Sequence, residues 1–381
     1  MSPTASDAPI AIFVEDLGGG GAEKVSVTLA NGLVARGFAV DLVMWRAEGP
    51  YLAAVAPAVR QINFSAEHSA SAVDVIRALR RYFREQPPRI FLSQLEKPSL
   101  LAILAALMSG YRHVVPCVHI DLLRYMRHGH RLRRAVLIGL VMMLYRFVPS
   151  IVAVSNGAAM GVRRLLWPTC PPVSVVYNGF DLIVLRAEAT LPVEEMWLRD
   201  KNLPVFIACG RLVPQKAYDV LLQAFALVRQ RIPARLIILG EGPLRGILES
   251  QVEQLELAEF VRMPGFVAKP AAWVARSDVF VLSSRNEGLP NVLIEAMAVN
   301  TRIVSTDCPS GPREILADGR FGQLVAVGDG AALAQNMIAA LQEPLTGGPQ
   351  VGTEVERKVH LEKFSVTQMV ENYLGIINVL S

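Results

Sequence analysis

Two cations follow directly on an apolar run in the second half of the chain. Arg211 and Lys216 lie five residues apart in the segment GRLVPQK, after the strand-like run PVFIACG (204–210). At the carboxyl end of a parallel strand such a pair can converge on one diphosphate, since arginine offers a planar fork of donors and lysine a point charge. From these residues alone, a solvated loop with two incidental charges is an equally good interpretation.

Two carboxylates follow in the segment SSRNEGLPNVLIEAMA (283–298). Pro290 suits the first turn of a helix, so the pattern predicts a strand, a loop with Glu287, and a helix with Glu295 about a turn and a half inside. The N–H groups of residues 288–291 can hold a phosphate, and the two carboxylates can accept hydrogen bonds from sugar hydroxyls. Taken alone, two glutamates at this spacing also fit the solvated face of a helix.

A glycine-rich turn, LGGGGAE (17–23), separates the first strand-like run from the first predicted helix. Glycines let a backbone approach a ligand closely, and a helix N-terminus offers unpaired N–H groups to an anion. A dinucleotide fingerprint requires glycine at position 23, where Glu23 stands, and Asp41 falls in mid-strand rather than at a strand end. A nicotinamide cofactor is therefore disfavoured, while a tight connection without a ligand stays open.

The elements that position these residues alternate between short apolar runs and amphipathic stretches, which is typical of parallel α/β proteins. The strand-like runs of the first half are IAIFV (10–14), FAVDLVMW (38–45), RIFLSQ (89–94), HVVPCVH (113–119), SIVAVS (150–155) and VSVVYNG (173–179). Those of the second half are PVFIACG (204–210), RLIILG (235–240), FVRMPG (260–265), VFVLSS (279–284), TRIVST (301–306) and GQLVAV (322–327). We expect two doubly wound domains, 1–180 and 181–364, with a ligand at the carboxyl ends of the strands, where the sheets face each other. Residues 343–353 are expected to form a surface loop, and an amphipathic C-terminal helix (365–381) can pack on either domain.

Hydrophobic residues make up 52% of the 381 residues and the mean hydropathy is +0.35, which excludes intrinsic disorder and raises the question of a membrane span. The longest uninterrupted apolar run, AVLIGLVMMLY (135–145), has 11 residues, whereas a spanning helix needs about 18 or more. No basic region precedes the first hydrophobic stretch, so a signal peptide is not expected. The four cysteines are isolated, without a CxxC pair, which suits a reducing cytoplasm. Cys117 and Cys209 lie inside strand-like runs and are expected to be buried hydrophobes.

Charge is divided unevenly along the chain. Residues 1–180 carry 19 Lys and Arg against 11 Asp and Glu, net +8, whereas residues 181–381 have a net charge of −4. The basic, apolar stretch RYMRHGHRLRRAVLIGLVMMLYRF (124–147) predicts a surface helix that meets anionic lipid. A buried helix with a solvated basic cap is the alternative. Nucleic-acid binding is disfavoured because aromatic residues make up only 7% of the chain.

A combination of segments carries a family resemblance. GRLVPQK, LGEGP (239–243), the Glu-x7-Glu pair of EGLPNVLIEAMA and STDCPSGPREIL (305–316), in this order, resemble family 4 glycosyltransferases, which are retaining, metal-independent enzymes of the GT-B fold. LGGGGAEKV, SIVAVSNGA and VVYNGFD fall where that family places similar segments, so the resemblance covers nearly the whole chain. It implies a hexosyltransferase of two Rossmann-like domains that face a central cleft, the first for the acceptor and the second for a nucleotide-sugar donor.

The resemblance also implies roles for individual residues. Arg211 and Lys216 match the pair that binds the donor diphosphate and stabilises it as the leaving group. Glu287 matches the carboxylate that contacts the donor sugar, Glu295 the one that holds the ribose, and His119 a first-domain histidine that faces the donor sugar. Catalytic roles are thereby implied for His119, Arg211, Lys216 and Glu287. The implied substrate-binding positions are Gly18, Gly19, Gly20, Gly21, Glu241, Gly288, Leu289, Pro290, Asn291, Glu295, Gly311 and Glu314. No metal and no cofactor are expected, since the nucleotide sugar is a co-substrate.

Two departures from the family pattern bear on the sub-family. Ala217 replaces the common glycine after the QK pair, and CPSGPREIL replaces a segment that often has a Gly-Gly pair. The Ser-Gly-Pro form resembles transferases that build lipid-linked oligosaccharides and surface polysaccharides from UDP-hexoses or UDP-N-acetylhexosamines. We therefore expect retaining transfer of a hexosyl or N-acetylhexosaminyl unit to a hydroxyl of a lipid-linked or surface glycan. The expected location is cytoplasmic, peripheral on the inner face of the cytoplasmic membrane through the region between Arg124 and Arg146. A nucleotide-sugar epimerase or hydrolase of the same fold and an inactive sugar-nucleotide binding module stay open as alternatives.

Overall fold

A computed structural model describes residues 8–18, 20–64, 71–120, 122, 131–342 and 352–380, with the side chains of 131–134 left undescribed. The chain divides into two compact units. The first is Met1–Phe180 together with Phe364–Ser381, and the second is Asp181–Lys363.

The first unit is built on a seven-stranded sheet, in which neighbouring strands pair in parallel in the order β3-β2-β1-β4-β5-β6-β7. The strands are β1 (Ile10–Val14), β2 (Val40–Met44), β3 (Arg60–Asn63), β4 (Ile90–Gln94), β5 (Val114–Val118), β6 (Ile151–Ala153) and β7 (Val173–Val175). The helices are α1 (Gly21–Ala35), α2 (Ala72–Glu85), α3 (Glu96–Ser109), α4 (Arg131–Leu144), α5 (Asn156–Leu165) and, from the end of the chain, α15 (Val366–Leu380). The strand order reverses between β1 and β4, which is where a doubly wound sheet leaves a crevice at its carboxyl edge.

Burial on both faces explains the apolar sequences of the central strands. Strands β1, β2, β4 and β5 are buried at every position, as expected for parallel strands covered by helices on both sides. One core lies between the sheet and the helices α2, α3, α4 and α5, and the other between the sheet and the helices α1 and α15.

The edge strand β3, of sequence RQIN, was not predicted, because it lacks both an apolar run and an apolar alternation. Its side chains are largely exposed, and it is joined to β2 by the ion pair between Arg60 and Asp41, whose Nη2 and Oδ2 atoms lie 2.5 Å apart. Tyr82 of α2 donates a second hydrogen bond to the Asp41 carboxylate, at 2.6 Å. The Asp41 carboxylate is thus bound by Arg60 and Tyr82 at the edge of the sheet.

The C-terminal helix α15 belongs to the first unit, where it packs against α1. Met369, Tyr373 and Ile377 of α15 are buried in the core on that side of the sheet. The helices approach closely at Gly32 of α1, where an added Cβ atom would lie 2.7 Å from a methyl group of Val370. This glycine therefore allows the contact that fixes the last helix.

The second unit has a six-stranded sheet of parallel neighbours in the order β10-β9-β8-β11-β12-β13. The strands are β8 (Val205–Cys209), β9 (Arg235–Leu239), β10 (Val261–Gly265), β11 (Val279–Leu282), β12 (Arg302–Thr306) and β13 (Gln323–Val325). The helices are α6 (Leu182–Ala189), α7 (Met196–Arg199), α8 (Tyr218–Arg229), α9 (Arg245–Gln254), α10 (Pro270–Arg276), α11 (Asn291–Ala298), α12 (Pro312–Ile315), α13 (Gly330–Gln342) and α14 (Glu354–Glu362). Each of the twelve strand-like runs of the sequence contains one strand, so the predicted doubly wound architecture is confirmed in both halves.

Two further predictions concern the membrane and the loop at 343–353. In the described ranges of the chain, no helix is both long and apolar enough to cross a membrane. Residues 343–351 lie outside the described residues. Thr353 is the N-cap of α14 and forms a capping box with Glu356, so the loop region ends at the start of a helix.

Candidate active site

A buried ion pair joins the two motifs that follow β8 and β11 in the second unit. Lys216 Nζ lies 2.7 Å from Glu287 Oε1, and the two side chains are only 16% and 8% exposed. Ser284 Oγ donates to the same carboxylate oxygen at 2.6 Å, and Gln215 Nε2 donates to Oε2 at 3.4 Å. Because the pair is largely withdrawn from water, the attraction between its charges is stronger than on an open surface. The structure therefore brings two of the predicted catalytic residues into direct contact.

The loop that carries Lys216 is held in place by the residues after β11. Ser283 Oγ donates to the Lys216 carbonyl at 2.7 Å, and the Arg285 N–H donates to the Gln215 carbonyl at 2.8 Å. The Arg285 guanidinium pairs with Asp219 at 2.6 Å. These contacts fix the direction in which the ammonium group leaves the backbone.

Arg211 stands at the start of the same loop, immediately after Gly210, and its side chain is exposed. No hydrogen bond or ion pair of its guanidinium to another described residue is present. The same loop has Ala217 in the left-handed region, with φ of +51°, where the resemblance expects glycine. The chain therefore holds the left-handed conformation at this position with an alanine and keeps both cations.

The two glycines of the LGEGP segment allow its backbone to lie close to the loop after β8. An added Cβ atom at Gly240, which has φ of +135°, would lie 2.1 Å from the Gly210 carbonyl oxygen, and one at Gly242 would lie 2.5 Å from that of Leu212. The Leu212 N–H donates to the Glu241 carbonyl at 2.8 Å. The side chain of Glu241 pairs instead with a neighbouring arginine, which lowers the pKa of this carboxyl. The geometry thus explains the two glycines of the motif, and the substrate contact of Glu241 stays a prediction.

The predicted anion site at 288–291 lies between two packed loops. Gly288, Leu289 and Pro290 are buried, Pro290 is the N-cap of α11, and Asn291 is its first residue. The Glu287 N–H donates to the Pro309 carbonyl at 2.8 Å, and the Ser310 N–H donates back to the Glu287 carbonyl at 3.1 Å.

The loop after β12 completes this region of the second unit. An added Cβ atom at Gly311, which has φ of +97°, would lie 2.5 Å from Pro290 Cδ, so the Ser-Gly-Pro segment requires glycine there. Glu314 is half-buried in α12, and Glu295 is buried in α11, at 8% exposure. The hydroxyl of Ser310 is buried and has no hydrogen-bond partner among the described residues, which leaves a polar atom for a ligand or water at this point.

The glycine-rich loop of the first unit is held by hydrogen bonds to the residues before it. The Gly18 N–H donates to Asp16 Oδ1 at 2.9 Å, and Arg46 Nη2 lies 2.7 Å from the other oxygen of that carboxylate. An added Cβ atom at Gly20 would lie 2.3 Å from the Glu23 carboxylate, and Gly21 is the first residue of α1. Gly19 lies outside the described residues.

His119 follows β5 in the same unit. Its Nε2 atom lies 2.7 Å from Gln94 Oε1. Burial lowers the pKa of the imidazole to about 4, so the ring is neutral near pH 7. No group of three or more metal-ligating side chains occurs in the part of the chain that the structure describes.

Comparisons with known proteins decide the family. The profile "Glycosyltransferase Family 4" matches residues 19–183, and the profile "Glycosyl transferases group 1" matches residues 203–343. Together they cover most of the chain. The chain belongs to the family 4 glycosyltransferases. As a member of this family it is a hexosyltransferase, and the predicted GT-B fold is confirmed.

Relatives of this glycosyltransferase include enzymes that act on lipid-linked glycans. It is 27% identical, over 88% of its length and 90% of the relative's, to the N-acetylgalactosamine-N,N'-diacetylbacillosaminyl-diphospho-undecaprenol 4-alpha-N-acetylgalactosaminyltransferase of Campylobacter jejuni. A second Campylobacter jejuni relative, an alpha-1,4-N-acetyl-D-galactosaminyltransferase acting on a diphospho-undecaprenol glycan, is 24% identical over 97% of this chain and 98% of its own. Among solved structures, Anabaena HepE in complex with UDP and glucose has a TM-score of 0.80 at 19% identity, with 98% of this chain and 100% of that chain covered.

Several residues that shape the site were not singled out from the sequence. Ser284 and Gln215 both contact the Glu287 carboxylate, and Gln94 contacts His119. The sequence places Gln215 beside Lys216, but pairing it with a residue 72 positions away depends on the order of the strands, which no local pattern reveals.

Proposed function

We propose that this glycosyltransferase moves a hexosyl or N-acetylhexosaminyl unit from a UDP-linked sugar to a hydroxyl of a lipid-linked or surface glycan, with retention at the anomeric carbon. The buried contact between Lys216 and Glu287, with the exposed Arg211 on the same loop, carries the proposal. It sets a sugar-binding carboxylate directly beside a diphosphate-binding cation. The names of the two Campylobacter relatives support a diphospho-undecaprenol-linked acceptor, and the UDP complex of HepE supports the donor base.

At the donor, Arg211 and Lys216 neutralise the diphosphate. As the bond from the anomeric carbon to the diphosphate oxygen breaks, negative charge grows on the departing nucleotide, so cations aimed there stabilise the transition state more than the ground state. Lys216 has three donors and uses one on Glu287, which leaves others for a phosphate oxygen. These two side chains thereby do the work that a divalent metal does in other transferases.

The carboxylates orient the donor. Among the described residues, Gln215 alone donates to Glu287 Oε2, over a long 3.4 Å, and this oxygen accepts a further hydrogen bond from a donor-sugar hydroxyl. Glu295 holds the ribose hydroxyls, and Gly311 and Glu314 lie near the donor sugar. The acceptor oxygen attacks from the face that the diphosphate leaves, and the leaving phosphate oxygen takes the acceptor's proton, which yields retention without an enzyme nucleophile.

An apolar surface of the first unit supports a lipid-linked acceptor. On α4 and the 3₁₀ turn that follows it (Tyr145–Phe147), the exposed side chains of Val136, Leu140, Met143 and Phe147 recur every three or four residues and form one stripe. On α3 the exposed large side chains are Leu104, Leu107 and Met108. The buried sides of α3 and α4 contribute to a single core, so the two stripes belong to one helical layer.

The helix α5 continues this layer with an amphipathic outer face. Met160, Arg163 and Arg164 are exposed on the helix, and Trp167, two residues beyond its end, is 78% exposed. Tryptophan and arginine beside apolar side chains are typical of proteins at a bilayer interface. The sequence of residues 97–180 includes ten Lys and Arg and a single acid, a charge balance that favours contact with anionic lipid.

We define the apolar face by its exposed apolar side chains, which are Leu104, Leu107, Met108, Val136, Leu140, Met143, Phe147, Met160 and Trp167. We propose that an anionic lipid bilayer covers this face. This places the protein at the inner face of the cytoplasmic membrane, where a polyprenyl-diphosphate glycan presents its sugar. Residues 123–130, which include Arg124, and the side chains of 131–134 belong to the predicted contact but lie outside the described residues.

A panel of nucleotide sugars tests the function. Each is incubated with a polyprenyl-diphosphate-linked sugar acceptor, with and without acceptor, and the products are read by mass spectrometry. The proposal predicts an acceptor whose mass rises by one hexosyl or N-acetylhexosaminyl unit with a UDP-sugar, and no product without acceptor. Epimerised or hydrolysed donor in the absence of acceptor would favour an epimerase or hydrolase, and failure to consume any donor would favour a binding module.

A further inference from the structure

A polar pair joins the ends of two central strands in the first unit. Gln94 is the last residue of β4 and lies opposite Cys117 of β5 in the parallel register. His119 is the first residue after β5. Gln94 is only 2% exposed, and its amide oxygen lies 2.7 Å from the Nε2 atom of His119.

The chemistry of the pair determines where the imidazole proton lies. An amide oxygen only accepts hydrogen bonds, so the Nε2 atom facing it must carry a proton. A neutral imidazole has a single N–H, and the ring is neutral near pH 7 because burial opposes its charged form. The remaining nitrogen, Nδ1, then has a free lone pair and acts as an acceptor.

We propose that Gln94 is a positioning residue that holds His119 in its Nε2-protonated form, so that Nδ1 accepts a hydrogen bond from a substrate hydroxyl. This inference rests on the proposed function and on the role that the family resemblance implies for His119, which faces the sugar being transferred. It makes His119 an acceptor that orients the sugar, and not an acid or a cation that stabilises the departing diphosphate.

The surroundings of Gln94 limit its freedom to turn. Its amide nitrogen is buried, without a hydrogen-bond partner among the described residues. The thiol of Cys117 is next to it in the sheet, and on the other side of that thiol the Tyr373 hydroxyl donates to Sγ at 3.6 Å. A buried side chain packed between a strand and a helix is well suited to fix a ring orientation, as second-layer residues do for histidines in metal sites.

Nitrogen-15 NMR of histidine-labelled protein at pH 7 tests the inference without any substrate. The chain has six histidines, and a His119→Asn variant assigns the signals of this ring. The wild type is expected to show a protonated Nε2 and an unprotonated Nδ1 for His119. Gln94→Leu should give a mixed or reversed tautomer, whereas Gln94→Glu, which keeps an acceptor at this position, should keep Nε2 protonated. Gln61→Leu, the same substitution on the edge strand β3, is the matched control and should leave the signals unchanged.

Kinetics provide the second readout. Gln94→Leu is expected to lower kcat by about tenfold or more, as changes behind metal-ligating histidines do. A proton on Nδ1 in the wild type, or an unchanged tautomer in Gln94→Leu, would overturn the inference even if the protein is a glycosyltransferase. A correct tautomer in a protein that transfers no sugar would instead contradict the proposed function.

Discussion

Replacing Lys216 by methionine tests the ion pair that organises the candidate active site. The substitution keeps most of the aliphatic stem and removes the charge that lies 2.7 Å from Glu287. The carboxylate then retains hydrogen bonds from Ser284 and Gln215 but has lost its counter-charge. Removing one partner of a fully buried pair costs about 3–5 kcal/mol. Because the two side chains keep 16% and 8% of their exposure and two neutral donors remain, we expect a loss of about 2 kcal/mol in the free energy of unfolding.

A double-mutant cycle isolates the contribution of the pair. It uses Lys216→Met, Glu287→Met and the double variant, and residues in direct contact are expected to show a coupling energy of about 1–3 kcal/mol. Urea unfolding is followed by the fluorescence of Trp197 and Trp273, both in the second unit, in a background whose other two tryptophans are phenylalanine. The double variant should be more stable than the sum of the single losses predicts, because neither charge is left buried without its partner.

A more exposed pair in the same unit is the control. Lys201 Nζ and Asp278 Oδ1 lie 3.2 Å apart with side chains 36% and 28% exposed, and such pairs contribute about 0–1 kcal/mol. A coupling between Lys216 and Glu287 that is no larger than the one between Lys201 and Asp278 would refute the reasoning.

Three further predictions follow from other parts of the structure. Leu140→Glu, in the apolar face, should lower co-sedimentation with anionic vesicles, whereas Leu227→Glu, which changes a leucine of similar exposure in the second unit, should not. Equal losses, or no binding by the wild type, would contradict the bilayer contact. In urea unfolding, Gly240→Ala should destabilise the protein by about 2 kcal/mol or more, because the added Cβ atom meets a backbone oxygen and φ is positive at this position. Gly246→Ala is the control: it lies in helix α9 with open space around the added Cβ atom, and it should be neutral or stabilise the protein by up to about 1 kcal/mol. Burial lowers the pKa of His119 to about 4 in the folded state, below the value near 6.5 of an unfolded chain. Between these two pH values the unfolded state binds more protons than the folded state, so the free energy of unfolding falls as the pH drops from about 6.5 to about 4. His119→Gln should therefore lose less stability than the wild type between pH 7 and pH 5, and an identical loss would contradict this burial.

Much of the fold was predictable because parallel strands that are buried on both faces have continuous apolar sequences. The edge strand β3 could not be predicted in this way, since RQIN is largely exposed and is defined by its pairing with β2 and by the contact between Arg60 and Asp41. The attachment of the last helix was equally open, because an amphipathic pattern shows that one face is buried but not against what. The close approach at Gly32 is visible only once α1 and α15 are placed together.

The candidate site was predictable where single residues have distinctive chemistry. Arg211, Lys216, Glu287 and Glu295 stood out by their charge and spacing, their roles were implied by the family resemblance, and the structure brings Lys216 and Glu287 together. Gln94 was missed, because a glutamine at a strand end carries no chemical signal until the neighbouring strand places a histidine beside it. Its role follows from strand order, which is a property of the sheet and not of any local segment.

The most direct test of the central claim is the steady-state kinetics of Arg211→Ala with the UDP-sugar that the panel identifies. The guanidinium is exposed and contacts no other described residue by a hydrogen bond or ion pair, so its loss should leave the fold intact. We expect a fall in kcat of about 10²–10³-fold with a much smaller change in the donor KM, while Arg231→Ala, an exposed arginine of the same unit, stays at the wild-type rate. A near-normal kcat for Arg211→Ala would show that Arg211 does not stabilise the departing diphosphate.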